Sequence, residues 1–106
     1  MNTMESIQVY KSDIFEFDIS PFEIFQVLFL RSELEKQFTS MSEEEKIALL
    51  TADLKVIKNS KKIVEHIGKI YDFSESKHPT SEWWWHLDKV SRGEMVIKRY
   101  ELVPAN

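Results

Sequence analysis

Residues 6–19, SIQVYKSDIFEFDI, decide the fold class. Ile7 and Val9 fall on one side of an extended chain, and Phe15, Phe17 and Ile19 resume the alternation after the polar break at Lys11, Ser12 and Asp13. Apolar residues at every second position mark a strand with one buried face, so this stretch is expected to form a β-hairpin. The other end of the chain offers it a partner. Residues 95–103 include Val96, Ile97, Tyr100, Leu102 and Val103 and stop at Pro104, the content and boundary of a strand.

Helices are expected between these two ends. Ser20 is a capping residue, Pro21 suits a first helical position because its missing N–H needs no partner, and Glu23 stands at the capping-box position. The helix that starts there carries Phe22, Ile24, Phe25, Val27, Leu28, Phe29 and Leu30, so its first half is expected to be buried on most sides. Ser42 repeats the start signal with Glu43, Glu44 and Glu45 over the positive end of the helix dipole. Ile47, Leu50, Leu54, Ile57, Val64, Ile67 and Tyr71 then recur at helical steps, with no Pro or Gly before Gly68. One helix over residues 43–67 would be about 37 Å long, whereas a domain of this size has a radius of gyration of about 13 Å. Either Asn59 and Ser60 break it in two, or its projecting end pairs with a second subunit; pairing is the preferred expectation. A short helix should begin at Thr80 or Ser81 and end at Gly93. The fold expected is α+β and predominantly helical: three helices, one of them long, packed on a small antiparallel sheet of the N-terminal hairpin and the C-terminal strand, in a single domain over residues 1–106.

Composition narrows the function. The chain has 106 residues and can bury one hydrophobic core. With Cys at 0, disulfides, thiolate metal sites and a cysteine nucleophile are excluded. A formal net charge of −4 speaks against general nucleic-acid binding. The first residues lack a basic segment followed by an apolar run, and the longest strongly apolar stretch, residues 24–30, is too short to span a bilayer, so a cytoplasmic protein without membrane contact is expected. Glycine-rich phosphate loops, nucleophile elbows and zinc-protease motifs are all missing. His66, His86, Asp72, Asp88 and Glu94 are the only plausible acids and bases, and no two of them have a diagnostic spacing. No catalytic residue and no cofactor are assigned, and a binding role is preferred over catalysis.

Three features invite a functional reading. The run Trp83-Trp84-Trp85 cannot place all its side chains on one face of a helix, because successive residues lie about 100° apart. The plain explanation is two core anchors and a third ring capping a neighbouring element. The functional one makes Trp85, with Trp84, His86 and Tyr100, the anchor for a protein partner. His78, Glu82 and His86 have the spacing of metal ligands on one helix face, but Pro79 pushes His78 out of helical geometry, so no metal site is assigned. Lys55, Lys58, Lys62, His66 and Lys69 would form one basic face along the long helix, more simply a solvated side favoured by the helix dipole. The sequence therefore reads as a small interaction or regulatory protein that binds another protein or itself, as a homodimer. The alternative is a polyanion binder acting through Lys55, Lys58, Lys62 and Lys69, and a small enzyme comes third.

Overall fold

The computed structural model describes residues 1–95 and residue 97. Five helices run through them: α1 (Thr3–Asp13), α2 (Pro21–Gln37), α3 (Glu43–Lys58), α4 (Ser60–Ile67) and α5 (Leu87–Ser91), with short 3-10 turns at Phe38–Ser40, Phe73–Glu75 and Trp83–Trp85. Among the described residues there is no strand, so the fold is helical and the expected α+β sheet is corrected. The C-terminal strand expected over residues 95–103 lies outside the described residues except for Met95 and Ile97.

The hairpin expected over residues 6–19 is instead α1 followed by a chain of tight turns. Two periods coexist in that stretch. Ile7, Tyr10 and Ile14, all fully buried, follow three- and four-residue steps as well as the alternation seen in Ile7 and Val9. The choice is made upstream. Asn2 accepts a hydrogen bond from the Glu5 backbone N–H at 2.8 Å, and the Glu5 carboxylate accepts one from the Asn2 N–H, a complete capping box. Lys11-Ser12-Asp13 holds no glycine, and no non-glycine residue among those described has a positive φ, so a tight hairpin turn has no foothold there.

Two other helix starts follow the sequence. Ser20 caps α2 by accepting from the Phe22 N–H at 3.2 Å, with Pro21 at the first helical position. Ser42 and Glu45 form a reciprocal capping box at α3, at 3.1 and 2.8 Å. The long helix over residues 43–67 is broken at Asn59, whose side-chain amide donates to the Lys55 carbonyl at 2.8 Å. That local bond competes with helix continuation, and α4 sets off as a separate element. The break lets the chain fold within a radius of gyration of 13.3 Å without a second subunit to cover a projecting end. The helix expected from Thr80 or Ser81 is likewise shorter: a 3-10 turn carries the tryptophans, His86 interrupts it, and α5 ends before Gly93, whose φ of 71° is the left-handed conformation that favours glycine.

Helices α1 and α2 pack together, α1 packs on α3, and α4 packs against both α2 and α5. Among the described residues one ion pair is fully buried in the apolar core. Arg31 of α2 reaches Asp53 of α3 through two hydrogen bonds, Nε to Oδ1 at 2.9 Å and Nη2 to Oδ2 at 2.7 Å, and both side chains are fully buried. Tyr10 of α1 donates its hydroxyl to the same Asp53 at 2.5 Å, and Glu35 takes the remaining guanidinium edge at 3.1 Å. The indole of Trp84 lies over the guanidinium at 4.3 Å. Burial alone would lower the Arg31 pKa, but the hydrogen bond and charge of Asp53, helped by Tyr10 and Glu35, outweigh it and raise the value, so the group stays cationic.

A buried ion pair is costly to break from one side because the survivor is left charged and unpaired. Arg31→Met and Asp53→Leu should each lower the unfolding free energy by about 3–5 kcal/mol, and the two together by clearly less than the sum. Urea denaturation of the four proteins in the cycle checks this, and strict additivity would show that the pair carries no coupling. Ser42→Ala should cost about 1 kcal/mol in the same assay, from loss of the α3 cap.

Candidate functional site

The tryptophan run is not a surface. Trp84 is 1% exposed, Trp85 0%, and Trp83 and His86 are also buried. Trp85, Trp84 and His86, expected as a partner anchor, are thus core side chains in this structure, each buried among its neighbours. Tyr100 lies outside the described residues. What holds the run in place is a single hydroxyl. Ser32 Oγ on α2 accepts from the Trp84 indole N–H at 2.9 Å and from the Trp85 indole N–H at 3.0 Å, and donates towards Glu82 Oε1 at 3.4 Å. Its two lone pairs and one hydrogen are thereby all engaged. Trp85 also stacks flat on His78, with ring centroids 4.0 Å apart and planes 8° apart.

The metal-like spacing dissolves for the same reasons. The His78 ring faces Trp85, Glu82 is turned to Ser32, and His86 Nε2 lies 2.8 Å from the His78 carbonyl. A carbonyl only accepts, so that nitrogen carries the hydrogen. Among the described residues no cluster of three possible metal-ligating side chains occurs.

The lysine face is interrupted. Lys55 and Lys58 belong to α3, Lys62 to α4, and Lys69 follows the end of α4. All four are exposed, but His66 between them is buried, with Nε2 donating to the Ile19 carbonyl at 2.9 Å. The Lys55 ammonium sits 4.7 Å from the Phe15 ring. The break at Asn59 divides the row between two helices. Of the candidate acids and bases, His66 and His86 are each tied to a backbone carbonyl, and Asp72 accepts from the Ser74 N–H and hydroxyl. Glu94 pairs with Arg92, which lowers the Glu94 pKa and raises that of Arg92. Among the described residues none of the five hydrogen-bonds another, so no acid–base pair is formed.

Ile47 and Leu54 are exposed on α3, but the exposed large aromatics among the described residues lie on α2. Ile24, Val27, Leu28, Arg31 and Leu34 take its buried face, which leaves Phe22 at 61% and Phe29 at 45% exposure on the other side. Phe22, Phe25 and Phe29 follow helical steps of three and four and so share one face. Beneath them lies an aromatic floor: Phe25 meets Phe29, Tyr71 and Trp85 at 5.4, 4.9 and 5.8 Å, and Phe29 meets Trp85 at 4.9 Å. Ile19, just before the α2 cap, and Ile70, beside Tyr71, are exposed as well. The sequence reading placed this half of α2 in the core. The signal that separates the faces is the step pattern 22, 25, 29 against 24, 27, 28, 31, 34, which the density of apolar residues hides.

Comparison with family models, with curated proteins and with solved structures finds no match for this chain. No helix among the described residues is long and apolar enough to cross a membrane.

Trp85→Ala should cost about 3–5 kcal/mol of stability, as for a large core aromatic, and Ser32→Ala about 1–3 kcal/mol by stranding buried indole donors. An exposed anchor would instead tolerate Trp85→Ala with little change. Tryptophan emission of the native protein should be blue-shifted and resist acrylamide, and both properties should vanish in urea.

Proposed function

We propose that this chain is an interaction protein that associates with a second copy of itself through the outer face of α2. The observation that carries this reading is the row Phe22, Phe25 and Phe29, of which Phe22 is 61% and Phe29 45% exposed on a helix whose opposite face is buried in the core. Single exposed apolar residues are ordinary, whereas contiguous aromatic ones are characteristic of interfaces. The spacing favours self-pairing. A two-fold axis passing near Phe25 and Gln26 brings Phe22 of one copy against Phe29 of the other in an antiparallel helix pair, the self-complementary arrangement of an isologous contact. Between Phe22 and Phe29 the only charged residue is Glu23, so the strip opposes little like charge to itself. Contacts of Phe25 with Tyr71 and Trp85, and of Phe29 with Trp85, hold these two rings in place before association, which reduces the ordering cost of binding.

This reading keeps the interaction role and the homodimer expected from the sequence but moves the contact from the tryptophan run to α2. It also keeps the cytoplasmic location, which rests on composition alone. The test is the mass in solution. Wild type at high micromolar concentration should have twice the mass of the chain by light scattering, and Phe22→Ser with Phe29→Ser should be monomeric with helical content unchanged. A wild type that stays monomeric at that concentration, or a double variant that stays dimeric, would overturn the reading.

A further inference from the structure

Helix α3 carries an apolar strip of its own. Ile47 is 63% and Leu54 40% exposed, and they stand two turns apart along one side of the helix. Glu43 precedes Ile47 by four residues and Lys58 follows Leu54 by four, and both are exposed. At about 100° per residue these four side chains fall within roughly 60° of the helix circumference, a single narrow line. Its steps of four, seven and four read the same in both directions, while the charge changes sign from one end to the other. Local chemistry accounts for part of this. Acidic residues in a first turn and basic residues in a last one complement the helix dipole. The dipole does not call for isoleucine and leucine in water, however, and the α3 capping box is made by Ser42 and Glu45 without Glu43. Among the described residues neither Glu43 nor Lys58 forms an ion pair. The other lysines of α3, Lys46 and Lys55, lie against the Phe38 and Phe15 rings at 5.5 and 4.7 Å.

A line with this symmetry is complementary to its own reverse. A two-fold axis between Leu50 and Thr51 sets Ile47 of one copy against Leu54 of the other and Glu43 against Lys58, with every contact made twice, as in an isologous interface. The parallel arrangement would set like charges together, so the charges select the antiparallel one. We propose that α3 pairs antiparallel with α3 of a second copy through Glu43, Ile47, Leu54 and Lys58. This contact is separate from the one on α2 and does not rest on it. Two apolar residues a side make a small interface, and exposed ion pairs fix orientation more than they add affinity, so the Kd is about 1 mM, weaker than the pairing through α2. Where copies are also paired through α2, each pair presents two α3 lines, and the two kinds of contact together join pairs into larger assemblies.

The test uses the full chain with Phe22→Ser and Phe29→Ser, which removes the α2 row, so that the two contacts stand or fall separately. Amide NMR shifts at low salt are followed as the concentration rises from about 0.05 to about 2 mM, a range that spans the expected Kd. Shifts should grow along the line from Glu43 to Lys58 and weaken severalfold in about 0.5 M salt. Adding Glu43→Lys sets lysine against lysine, adding Lys58→Glu sets glutamate against glutamate, and each alone should abolish the shifts. An equimolar mixture of these two chains should restore them, because the two lysines of one copy then meet the two glutamates of the other. A chain with both substitutions should pair as well, since its ends are again opposite in sign. Charges that serve only the stability of α3 would give no such rescue. The absence of concentration-dependent shifts up to about 2 mM, shifts that survive Glu43→Lys, or a mixture that associates no better than its components would each overturn the proposal.

Discussion

Arg31 has no exposed surface, lies among Ile24, Val27, Leu28 and Leu34 on the inner face of α2, and keeps its charge. A guanidinium in that position is tolerable only if each of its edges is engaged, and the engagement fixes the relative placement of three helices at once. Asp53 must arrive from α3 in bidentate register, Tyr10 must come from α1 to occupy the same carboxylate, and Glu35 must stay one turn along α2. Apolar packing alone admits sliding of one helix against another; a forked hydrogen bond at 2.7 and 2.9 Å does not. Trp84 then closes over the guanidinium and shields the pair from water.

The adjoining residue extends the constraint to the second half of the chain. Ser32 receives both the Trp84 and Trp85 indoles, so the 3-10 turn at Trp83–Trp85 is fastened to α2 by polar contacts as well as by ring packing. Trp85 in turn underlies Phe25 and Phe29. Helix α2 thus has an inner face that organises the core through Arg31 and Ser32 and an outer face whose aromatics rest on what that core has fixed. The proposed pairing of α2 with a second copy draws on a strip whose inner rings are already packed in the single chain.

Much of this was legible in the residues and part of it was not. Ser20-Pro21 and Ser42 with Glu45 mark helix starts because capping is local chemistry, readable within four residues. Gly93 ends α5 for the same reason. Residues 6–19 misled because Ile7, Val9, Phe15 and Phe17 satisfy a two-residue period while Ile7, Tyr10 and Ile14 satisfy a helical one, and the deciding Asn2–Glu5 cap lies outside the stretch. Asn59 is one of two ways the sequence offers to resolve an overlong helix, and only the bond of its side chain to the Lys55 carbonyl selects the break. The tryptophan run misled through an assumption of α-helical spacing; in a 3-10 turn enclosed by other elements all three rings are buried. The signal for the ion pair was present: Arg31 in a stripe of Ile24, Val27, Leu28 and Leu34, and Asp53 beside Leu49, Ala52 and Val56, are charges at core positions of two helices. Such charges are stable only when paired.

The absence of cysteine in the chain makes the proposed pairing of α2 with α2 directly measurable. A single nitroxide on Gln26→Cys, the exposed residue beside the expected two-fold axis, reports the separation of the two α2 helices by pulsed dipolar spectroscopy. Helices in contact have axes about 8–10 Å apart, so two labels facing each other across the pair should lie within about 20 Å. A short distance that disappears when Phe22→Ser and Phe29→Ser are introduced is the predicted result. A distance well beyond that range, or no dipolar coupling at concentrations where wild type is expected to pair, would contradict it.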